Sequence, residues 1–546
     1  MDSIRTPDWW RGTVIYQIYP RSFQDTNGDG IGDLKGIVQR LDHVAGLGAD
    51  AIWISPFFTS PMLDFGYDVS DYLSVDPMFG TLADFTALVA KAHGLGVKVI
   101  IDLVFSHTSD QHRWFKECRQ SPDNPYADWY VWADPRPDGT PPNNWLSLFG
   151  GCGWEWDARR RQYYFHNFLK QQPDLNFHCA AVQDELLSVA RFWLDLGVDG
   201  FRLDTVNFYV HDKLLRDNPP ASNRDSLEIP LANPYAWQDH LYDKTQPENL
   251  LFLERLRAVM DDYGDVASVG EVGDGDRALQ TMAAYTHGTG RLHMCYSFDF
   301  LSRAFGRAHV EKTIADFERV AGDSWGCWAF SNHDVERHVS RWAGFAHDRR
   351  SFGRFSLALL MALRGSVCIF EGEELGLAEA DVAFDQIQDP YGKVFWPEFK
   401  GRDGCRTPMV WEAAAPNAGF SSANRTWLPI EASHVPLAAS RGGAENPETL
   451  IADYRRFIAL RHAHPALRTG SIRILPSDGE VLAFLRQAPG EDILCVFNFG
   501  RAPAAWPLPD GTAATLLADA GGMLDGNEAA LPPNGAIYLS VLGKGT

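Results

Sequence analysis

Residues 192–206 read FWLDLGVDGFRLDTV, which combines the end of a helix with a short apolar strand. The Leu-Gly pair marks the helix end, because glycine tolerates the left-handed backbone of a C-terminal cap. The run after it is short and largely apolar, which is typical of a parallel strand covered on both faces. Two earlier stretches repeat the pattern, HVAGLGADAIWISP at 43–56 and KAHGLGVKVIIDLV at 91–104. Strands that alternate with amphipathic helices in this way predict βα units.

The same rhythm gives eight strand candidates along the chain. They lie near residues 14–20, 51–56, 97–104, 200–206, 267–272, 295–300, 327–334 and 366–376. Eight parallel strands are the number that closes a (β/α)8 TIM barrel, so we predict an α/β protein with this architecture. A doubly wound open sheet is the alternative, but no G-x-G-x-x-G phosphate loop follows any of these strands.

Two irregular segments and a late change of pattern divide the chain. The segment 108–178 is rich in Trp, Pro, Asn and Gly, and we interpret it as a lobe (domain B) inserted after the third strand. A second irregular excursion spans about 377–445, within a barrel formed by 1–107 and 179–477. From residue 478 to 546 the strands follow one another without helices, which predicts a C-terminal antiparallel β-sandwich domain.

Charge and cysteine usage limit the partners. The chain has 546 residues and a net charge of −22, from 49 basic and 71 acidic side chains. This field would repel nucleic acids and anionic membranes, so we expect neither as a partner. The charge favours a small neutral or cationic ligand instead. The eight cysteines form no C-x-x-C pair, and the N-terminus lacks the pattern of a secretory signal. We therefore expect a cytoplasmic protein, monomeric or homodimeric, with free thiols.

Charged side chains recur at the ends of the predicted strands, where the chemistry of such barrels gathers. A structural salt bridge would explain the pair Arg202–Asp204 alone, but it would not explain four strands whose charged ends meet at one rim. The residues concerned are Asp102, His107, Arg202, Asp204, Glu271, His333 and Asp334. We therefore predict that the rim of the barrel carries the active site.

Three of these residues are carboxylic acids, Asp204, Glu271 and Asp334, and no nucleophilic Ser or Cys motif accompanies them. Glycoside cleavage needs one ionised carboxylate and one protonated carboxylic acid beside the glycosidic oxygen. Arg202 is two residues from Asp204, so we expect it to lower the pKa of this aspartate and keep it ionised. Glu271 has valine neighbours and is the better candidate for a raised pKa and for general acid/base catalysis.

Four runs in chain order carry a family resemblance: DLVFSHTS (102–109), GFRLDTVNF (200–208), GEV (270–272) and FSNHD (330–334). With these runs the whole chain resembles the α-amylase superfamily, family 13 of the glycoside hydrolases. QPDLN at 172–176 and the opening WWRGTVIYQIYPRSF are similar to its α-glucosidase and oligo-1,6-glucosidase branch.

The resemblance implies a retaining mechanism that needs no cofactor. Asp204 would be the nucleophile, Glu271 the general acid/base, and Asp334 the acid that binds sugar hydroxyls and stabilises the transition state. The pocket for the non-reducing glucose would contain Asp64, Tyr67, His107, Arg202, His333 and, after the eighth strand, Arg402. Phe149 and Phe168 in the insert are either pocket walls or core residues.

Two features concern metal ions. Ser106 stands where the family usually has an Asn that ligates calcium, so we expect no amylase-type calcium site. The loop DTNGDGIGD has oxygen ligands at alternate positions, as in an EF-hand, although Gly36 replaces the final Glu. Its candidate ligands for a structural Ca²⁺ or Mg²⁺ ion are Asp25, Asn27, Asp29, Ile31 (through its carbonyl) and Asp33. A turn without a metal is the alternative.

The residue after the nucleophile bears on linkage preference. Thr205 is similar to α-1,4-preferring members of the branch, whereas isomaltose-cleaving members resemble one another in having Val. We therefore expect an exo-acting α-glucosidase that hydrolyses, and transglucosylates, short substrates such as maltose, sucrose or maltooligosaccharides. A sucrose isomerase, an α-glucosyltransferase and an oligo-1,6-glucosidase are the alternatives. A non-catalytic transporter partner would lack the acids and carry a membrane anchor, so we do not expect one.

Overall fold

A computed structural model describes residues 8–224, 229–230, 232–442, 449–509 and 512–541. Its largest sheet has eight strands, all joined in parallel in the order β6-β5-β4-β3-β2-β1-β8-β7. These strands are β1 (Val14–Ile18), β2 (Ala51–Ile54), β3 (Lys98–Leu103), β4 (Gly200–Leu203), β5 (Ala267–Val272), β6 (Met294–Ser297), β7 (Cys327–Ala329) and β8 (Ser366–Phe370). A parallel bridge between Cys295 and Gly326 links the two ends of the sheet. The predicted TIM barrel is confirmed.

Eight long helices alternate with the strands. They are α1 (Leu34–Leu47), α2 (Leu82–Gly94), α3 (Ala180–Asp195), α4 (Asn249–Asp261), α5 (Ala278–Thr286), α6 (Arg307–Ala321), α7 (Arg349–Ala362) and α8 (Leu450–Ala463). Short helices are Pro20–Phe23, Arg113–Cys118, His338–Arg341, Pro390–Phe395 and Pro465–Arg468. The glycines predicted to end α1, α2 and α3 do so with positive φ, at 94° for Gly48, 77° for Gly96 and 91° for Gly197.

The insert after β3 is a small lobe with its own sheet and core. Its three antiparallel strands are Trp132–Ala133, Trp154–Asp157 and Gln162–Phe165. Its apolar core contains Val131, Ala133, Trp145, Trp154 and Phe165. An antiparallel bridge between His107 and Asp174 ties the end of the lobe to the end of β3. A second small sheet, Phe58–Thr59 with Asp71–Val75, lies between β2 and α2.

The C-terminal part is antiparallel β structure, as predicted. Five strands form one sheet, in the order Ser471–Leu475, Val481–Ala488, Glu491–Asn498, Ala536–Val541 and Ala514–Ala520. Three strands form a second sheet, Ala504–Pro507, Glu528–Leu531 and Met523–Asp525. An apolar cluster that includes Val496, Trp506 and Leu531 draws on both sheets. The first strand begins at Ser471, before the predicted domain boundary at residue 478. It was missed because SIRIL follows a helix directly and is too short to stand out as a strand in the sequence.

Two buried arginines bind main-chain carbonyl groups at the base of the barrel, and one of them, Arg486, reaches there from the C-terminal sheet. Arg461 of α8 donates to the carbonyl oxygens of Gly12 at 3.1 Å, Met361 at 2.7 Å and Gly365. Arg486 of the C-terminal sheet donates to the carbonyl oxygens of Ala362 at 2.6 Å, Leu363 at 2.9 Å, Gly470 at 2.9 Å and Ser471 at 3.1 Å. The guanidinium groups therefore satisfy carbonyl groups that the end of α7 leaves free.

Candidate active site

The guanidinium of Arg202 is the centre of the rim. It is fully buried, and its Nη1 lies 2.9 Å from Oδ1 of Asp102 and 2.5 Å from Oδ1 of Asp204. Its Nη2 lies 2.7 Å from Oε2 of Glu271. Residues on β3, β4 and β5 can meet in this way because the three strands are neighbours and end at the same edge.

Tyr296, at the end of β6, completes this centre. Its hydroxyl accepts a hydrogen bond from Nη2 of Arg202 at 2.8 Å and donates to Oε1 of Glu271 at 2.9 Å. The backbone N–H of Thr205 donates to Oε2 of Glu271 at 3.0 Å. Glu271 is therefore fixed from three sides, and it presents a carboxyl group beside that of Asp204.

Asp334 faces this pair from the loop after β7, between two arginines. Its Oδ1 is 3.2 Å from Nη1 of Arg402 and 3.1 Å from Nη2 of Arg406. Arg402 also forms ion pairs with Asp64 at 2.7 Å and with Asp389 at 2.8 Å. Arg402 thus lies beside Asp334, and its bridge between Asp64 and Asp334 connects the loops after β2 and β7.

His333 and Tyr67 form a stacked pair beside the acids. Their ring centroids are 5.3 Å apart with 4° between the planes. Gln17 donates to Nδ1 of His333 at 2.7 Å, so the ring proton is on Nε2, which lies 2.5 Å from the Tyr67 hydroxyl. That hydroxyl donates in turn to Oδ2 of Asp102 at 3.1 Å. Burial lowers the pKa of His333 well below its usual range, so the ring is neutral.

His107 is held at the end of β3 by three neighbours. Its Nε2 lies 2.9 Å from the carbonyl oxygen of Tyr67, and its Nδ1 lies 2.9 Å from the hydroxyl of Ser106. Gln172 of the QPDLN run reaches the same place, because its Nε2 donates to Oδ2 of Asp64 at 3.0 Å. Burial lowers the pKa of His107 to about 4. The ring is therefore an uncharged hydrogen-bonding group at neutral pH.

The two phenylalanines of the insert contact site residues and also belong to an apolar cluster. The Phe168 ring lies 5.2 Å from the His107 ring, and the guanidinium of Arg402 lies 5.0 Å from the centre of the Phe149 ring. Both rings pack with Phe208, Tyr391 and Phe395. Packing in a core is therefore observed for both rings, and their role as pocket walls stays a prediction.

Burial raises the pKa of both Asp204 and Glu271 to about 7. Arg202 lowers both values but does not outweigh burial, so the expectation of a lowered pKa for Asp204 was wrong. Two adjacent carboxyl groups of this kind titrate as a pair, and near neutral pH they share one proton. Burial also opposes ionisation of Asp334, but the N–H of the neutral His333 ring, 3.2 Å from Oδ2, and the charges of Arg402 and Arg406 outweigh it and bring its pKa below the usual range.

Four residues of this centre were not predicted as site residues: Tyr296, Gln172, Asp389 and Arg406. Tyr296 lies in the strand predicted near 295–300, and Gln172 is the first residue of the run QPDLN. The positions of both residues therefore gave a usable signal. Asp389 and Arg406 lie in the irregular excursion after β8, where no periodicity indicates which side chains turn inward. Only the folded chain brings them to Arg402 and Asp334.

The loop that contains Asp25 and Asp33 lies apart from these acids, against the segment after Phe420. Oδ1 of Asp25 accepts from the N–H of Asn27 at 2.9 Å and of Gly28 at 2.7 Å, and its Oδ2 accepts from the N–H of Gly30 at 2.8 Å. All the candidate donors are oxygens, which suits Ca²⁺ or Mg²⁺. In the part of the chain that the structure describes, no group of three or more His, Cys, Asp or Glu side chains is arranged to hold a metal.

Comparisons with known proteins identify the family of the chain. The sequence model of the family described as alpha amylase, catalytic domain, matches residues 17–470, and that of the maltogenic amylase C-terminal domain matches residues 472–536. A probable alpha-glucosidase of Rhizobium meliloti (strain 1021) is 59% identical over 505 residues, 92% of this chain and 91% of that protein.

Two solved structures are similar over nearly the whole chain. The alpha-glucosyl transfer enzyme XgtA is 54% identical with a TM-score of 0.94, and the match covers 98% of this chain and 100% of that chain. The trehalulose synthase MutB from Pseudomonas mesoacidophila MX-45 is 34% identical with a TM-score of 0.88, again over 98% and 100%. With a family match over most of its length and relatives of this similarity, the chain belongs to the α-amylase family of glycoside hydrolases.

Proposed function

We propose that the protein is a retaining, exo-acting α-glucosidase that hydrolyses short α-glucosides and also transfers their glucosyl group. One observation carries the proposal: a single buried guanidinium, Arg202, contacts both Asp204 and Glu271, at 2.5 and 2.7 Å. Two carboxyl groups that share one proton at neutral pH supply the nucleophile and the acid that a retaining glycosidase needs. The matches to an alpha-glucosidase and to an alpha-glucosyl transfer enzyme support the substrate class.

In the first half-reaction, the ionised carboxylate of Asp204 forms a bond to the anomeric carbon. The glycosidic bond breaks, and its electron pair goes to the leaving oxygen, which takes the proton of Glu271. In the second half-reaction, Glu271 removes a proton from water or from a sugar hydroxyl. The oxygen so activated bonds to the anomeric carbon, and the electron pair of the broken bond returns to Asp204. Arg202 and Tyr296 hold the two carboxyl groups in place throughout.

Asp334 has a different task, because its pKa is held below the usual range. A carboxylate that stays ionised can accept hydrogen bonds from sugar hydroxyls and favour the positive charge of the oxocarbenium-like transition state. The Arg402 bridge between Asp64 and Asp334 supports exo action, because ion pairs that link the loops after β2 and β7 would close the site beyond one terminal glucose. We assign Tyr67, His107 and His333 to the same glucose pocket.

Linkage preference and product balance are the finer parts of the proposal. The Thr205 hydroxyl lies 3.2 Å from Oδ2 of Asp204, so the residue that distinguishes α-1,4- from α-1,6-preferring members lies next to the reacting atoms. We propose α-1,4 preference. The second candidate is a transferase or isomerase, which the similarity to XgtA and to a trehalulose synthase favours. Both use the same acids, and they differ in how well water is kept from the second half-reaction.

Product analysis with maltose, isomaltose, sucrose and soluble starch tests the proposal. Glucose released mainly from maltose or sucrose is the expected result, and the matched control is Asp204→Asn, which should release none. Rapid glucose release from isomaltose would reject the α-1,4 preference while leaving the acids in place. New disaccharides with little free glucose would replace the hydrolase by the transferase or isomerase. No turnover of any α-glucoside would reject the proposed function.

We also propose a structural Ca²⁺ or Mg²⁺ ion at the 25–33 loop, bound by Asp25, Asn27, Asp29 and Asp33 and by the carbonyl of Ile31. It would stiffen the loop and take no part in catalysis. Elemental analysis of the purified protein should find about one equivalent. A chelator should then lower the melting temperature without changing kcat at temperatures where the protein is folded. A metal-free protein of unchanged stability would remove this site.

The cell compartment and the assembly state are further proposals. We place the protein in the cytoplasm, because all eight cysteines are free thiols and five of them are buried side chains of the barrel or the C-terminal domain. No helix of the described ranges is long and apolar enough to cross a membrane. We expect a monomer or homodimer, and size-exclusion chromatography with light scattering distinguishes the two.

A further inference from the structure

The Thr205 hydroxyl has two oxygen neighbours that can accept its proton. It lies 3.2 Å from Oδ2 of Asp204 and 3.1 Å from the hydroxyl oxygen of Ser106. A hydroxyl carries one hydrogen, so it donates fully to one of these oxygens at a time. In one arrangement Oδ2 of Asp204 accepts a hydrogen bond from Thr205, and in the other it does not. The direction of each hydrogen bond therefore matters.

The proton of Ser106 is already committed to His107. Nε2 of His107 lies 2.9 Å from the carbonyl oxygen of Tyr67, which can only accept, so the ring proton is on Nε2. The amide nitrogen of Gln172, 3.2 Å from the same Nε2, is a donor directed at Asp64 and does not alter this assignment. Nδ1 of His107 is therefore an acceptor, and the Ser106 hydroxyl at 2.9 Å must donate to it. The Ser106 oxygen is left as an acceptor for Thr205.

The two oxygens of Asp204 are in different surroundings. Oδ1 is 2.5 Å from the guanidinium of Arg202 and is held by that charge. Among the residues that the structure describes, Oδ2 receives a hydrogen bond from the Thr205 hydroxyl alone. Oδ2 is therefore the oxygen that is free to attack the anomeric carbon, and Thr205 is its neighbour.

The backbone of Thr205 fixes this placement. Its φ of 40° and ψ of 48° are left-handed, a conformation that a β-branched residue adopts only when its surroundings impose it. The same conformation directs the Thr205 N–H to Oε2 of Glu271 at 3.0 Å. One residue thus contacts the carboxyl groups of both the proposed nucleophile and the proposed acid/base, and its hydroxyl is held where it reaches both acceptors.

We propose that Thr205 is a positioning residue whose hydroxyl donates to Oδ2 while Oδ2 carries charge, in the free carboxylate and in both transition states, and to Ser106 while Oδ2 is bonded to the anomeric carbon. This proposal rests on the proposed function and deepens it. In the first half-reaction, a free lone pair of Oδ2 bonds to the anomeric carbon, the glycosidic bond breaks and Glu271 protonates the leaving oxygen; the Thr205 hydroxyl then turns to Ser106, because Oδ2 has lost its charge. In the second, the C–Oδ2 bond breaks, its electron pair returns to Oδ2, and the Thr205 hydroxyl stabilises the charge that forms there.

The two half-reactions can be measured separately with a 2,4-dinitrophenyl α-glucoside. Its leaving group departs readily, so kcat/KM reports attack by Oδ2 and kcat reports its departure. Thr205→Val removes the hydroxyl from a side chain of the same shape, and we expect kcat to fall about tenfold with kcat/KM within about twofold of wild type. A pre-steady-state burst of dinitrophenol should become more pronounced, because the intermediate accumulates.

Ser106→Ala is the complementary variant. It removes the acceptor that the hydroxyl has in the covalent intermediate, so the intermediate is less stable, kcat should rise about threefold and the burst should be smaller than in wild type. Its kcat/KM is not a criterion, because Ser106 also donates to His107 of the proposed glucose pocket. Thr205→Ser keeps a hydroxyl and should restore the burst and kcat of wild type to within about threefold. Melting temperatures of the three variants identify any loss of folded protein.

The outcomes separate the proposal from the proposed function. A Thr205→Val variant with wild-type kcat, or one that lowers kcat and kcat/KM by the same factor, would overturn the two-position hydroxyl. A Thr205→Ser variant that behaves like Thr205→Val would do the same, since only the hydroxyl is at issue. Failure of the proposed function has a different signature: the wild-type protein itself would release neither dinitrophenol nor glucose.

Discussion

Buried arginines lie at both ends of the barrel, and their partners differ. Arg202, at the carboxyl end of β4, contacts three carboxyl groups, those of Asp102, Asp204 and Glu271. Arg461 and Arg486, at the opposite end, donate to main-chain carbonyl oxygens and form no ion pair with any residue in the described ranges. Arginine thus binds carboxyl groups at one end of the barrel and main-chain carbonyl groups at the other.

The partners change the electrostatics of each arginine. Burial lowers the pKa of Arg461 to about 10 and that of Arg486 to about 9, because carbonyl dipoles compensate the lost hydration only in part. Burial also disfavours the charge of Arg202, but Asp102, Glu271 and Asp204 outweigh it and raise its pKa. The base of the barrel therefore uses arginine for stability, and the rim uses it to hold carboxyl groups that need a partner.

The largest expected effect comes from Asp204→Asn. Turnover should fall by about 10⁴-fold or more, because the variant has no nucleophile. Its stability should change in the opposite direction. The folded-state pKa of about 7 exceeds the unfolded value of about 4, so the wild-type protein loses stability as pH rises between them. The melting temperature of the variant should equal or exceed that of wild type at pH 7.5, with a smaller difference at pH 5; a lower value at pH 7.5 would contradict the raised pKa.

The same Arg→Lys substitution, made at each end of the barrel, tests the difference between the two ends most directly. Arg202→Lys should lower kcat/KM by about 10³-fold, because an ammonium group cannot bridge three carboxyl groups. Arg486→Lys should lower the free energy of unfolding by about 2–4 kcal/mol, since three donors replace a fork that reaches four carbonyls, while kcat per folded molecule is unchanged. Kinetics and denaturant titration of both variants measure the two effects. Equal losses of activity in the two variants would contradict the assignment of Arg202 to activity and of Arg486 to stability.

Tyr296→Phe sharpens the description of the rim. It deletes the hydroxyl that accepts from Arg202 and donates to Glu271. We expect kcat to fall about tenfold, and the alkaline limb of the pH profile to move upward, because the charged form of Glu271 loses a donor. Tyr163→Phe in the insert is a matched control, since its hydroxyl donates to the carbonyl of Gly139 away from the site. A pH profile unchanged in Tyr296→Phe would show that the Tyr296 hydroxyl does not influence the pKa of Glu271.

The smallest and most diagnostic effect is the shape of the pH profile. With the pKa of Asp204 and of Glu271 each raised to about 7, the singly protonated pair is most populated near pH 7. Activity should fall on the acid side as Asp204 gains a proton, with a contribution from Asp102, whose pKa burial raises to about 6. It should fall on the alkaline side as Glu271 loses its proton.

Glu271→Gln tests the assignment of that alkaline limb. With an aryl α-glucoside that needs no acid catalysis, the variant should keep the acid limb and lose the alkaline one. An alkaline limb that persists would belong to another group and would contradict the role of Glu271. His107 does not confuse the acid limb, since burial lowers its pKa to about 4.

The sequence was sufficient for features that repeat or that lie at strand ends. Glycine after a helix and a short apolar run after it predicted three of the barrel strands, similar apolar runs predicted the other five, and the charged strand ends predicted Arg202, Asp204 and Glu271 as site residues. The first C-terminal strand, Ser471–Leu475, was not predicted, because a five-residue run directly after a helix has too little alternation to identify.

Properties that depend on long-range burial were beyond the sequence. The neighbour Arg202 predicted a lowered pKa for Asp204, but the barrel removes so much water that burial wins and the pKa rises. Asp389 and Arg406, the partners that hold Arg402 and Asp334, come from an excursion without periodicity. Both cases follow from contacts between segments that are distant in the chain.

The central claim is that Asp204 is the nucleophile of a retaining mechanism. The most direct test is to incubate Glu271→Gln with the 2,4-dinitrophenyl α-glucoside, quench in acid and locate the adduct by peptide mass spectrometry. Without its acid/base the variant forms the intermediate but cannot resolve it. We expect one glucosyl group attached to the peptide that contains Asp204, and none in the double variant that combines Glu271→Gln with Asp204→Asn. A glucosyl group on Asp334, or dinitrophenol release with no covalent adduct, would contradict it.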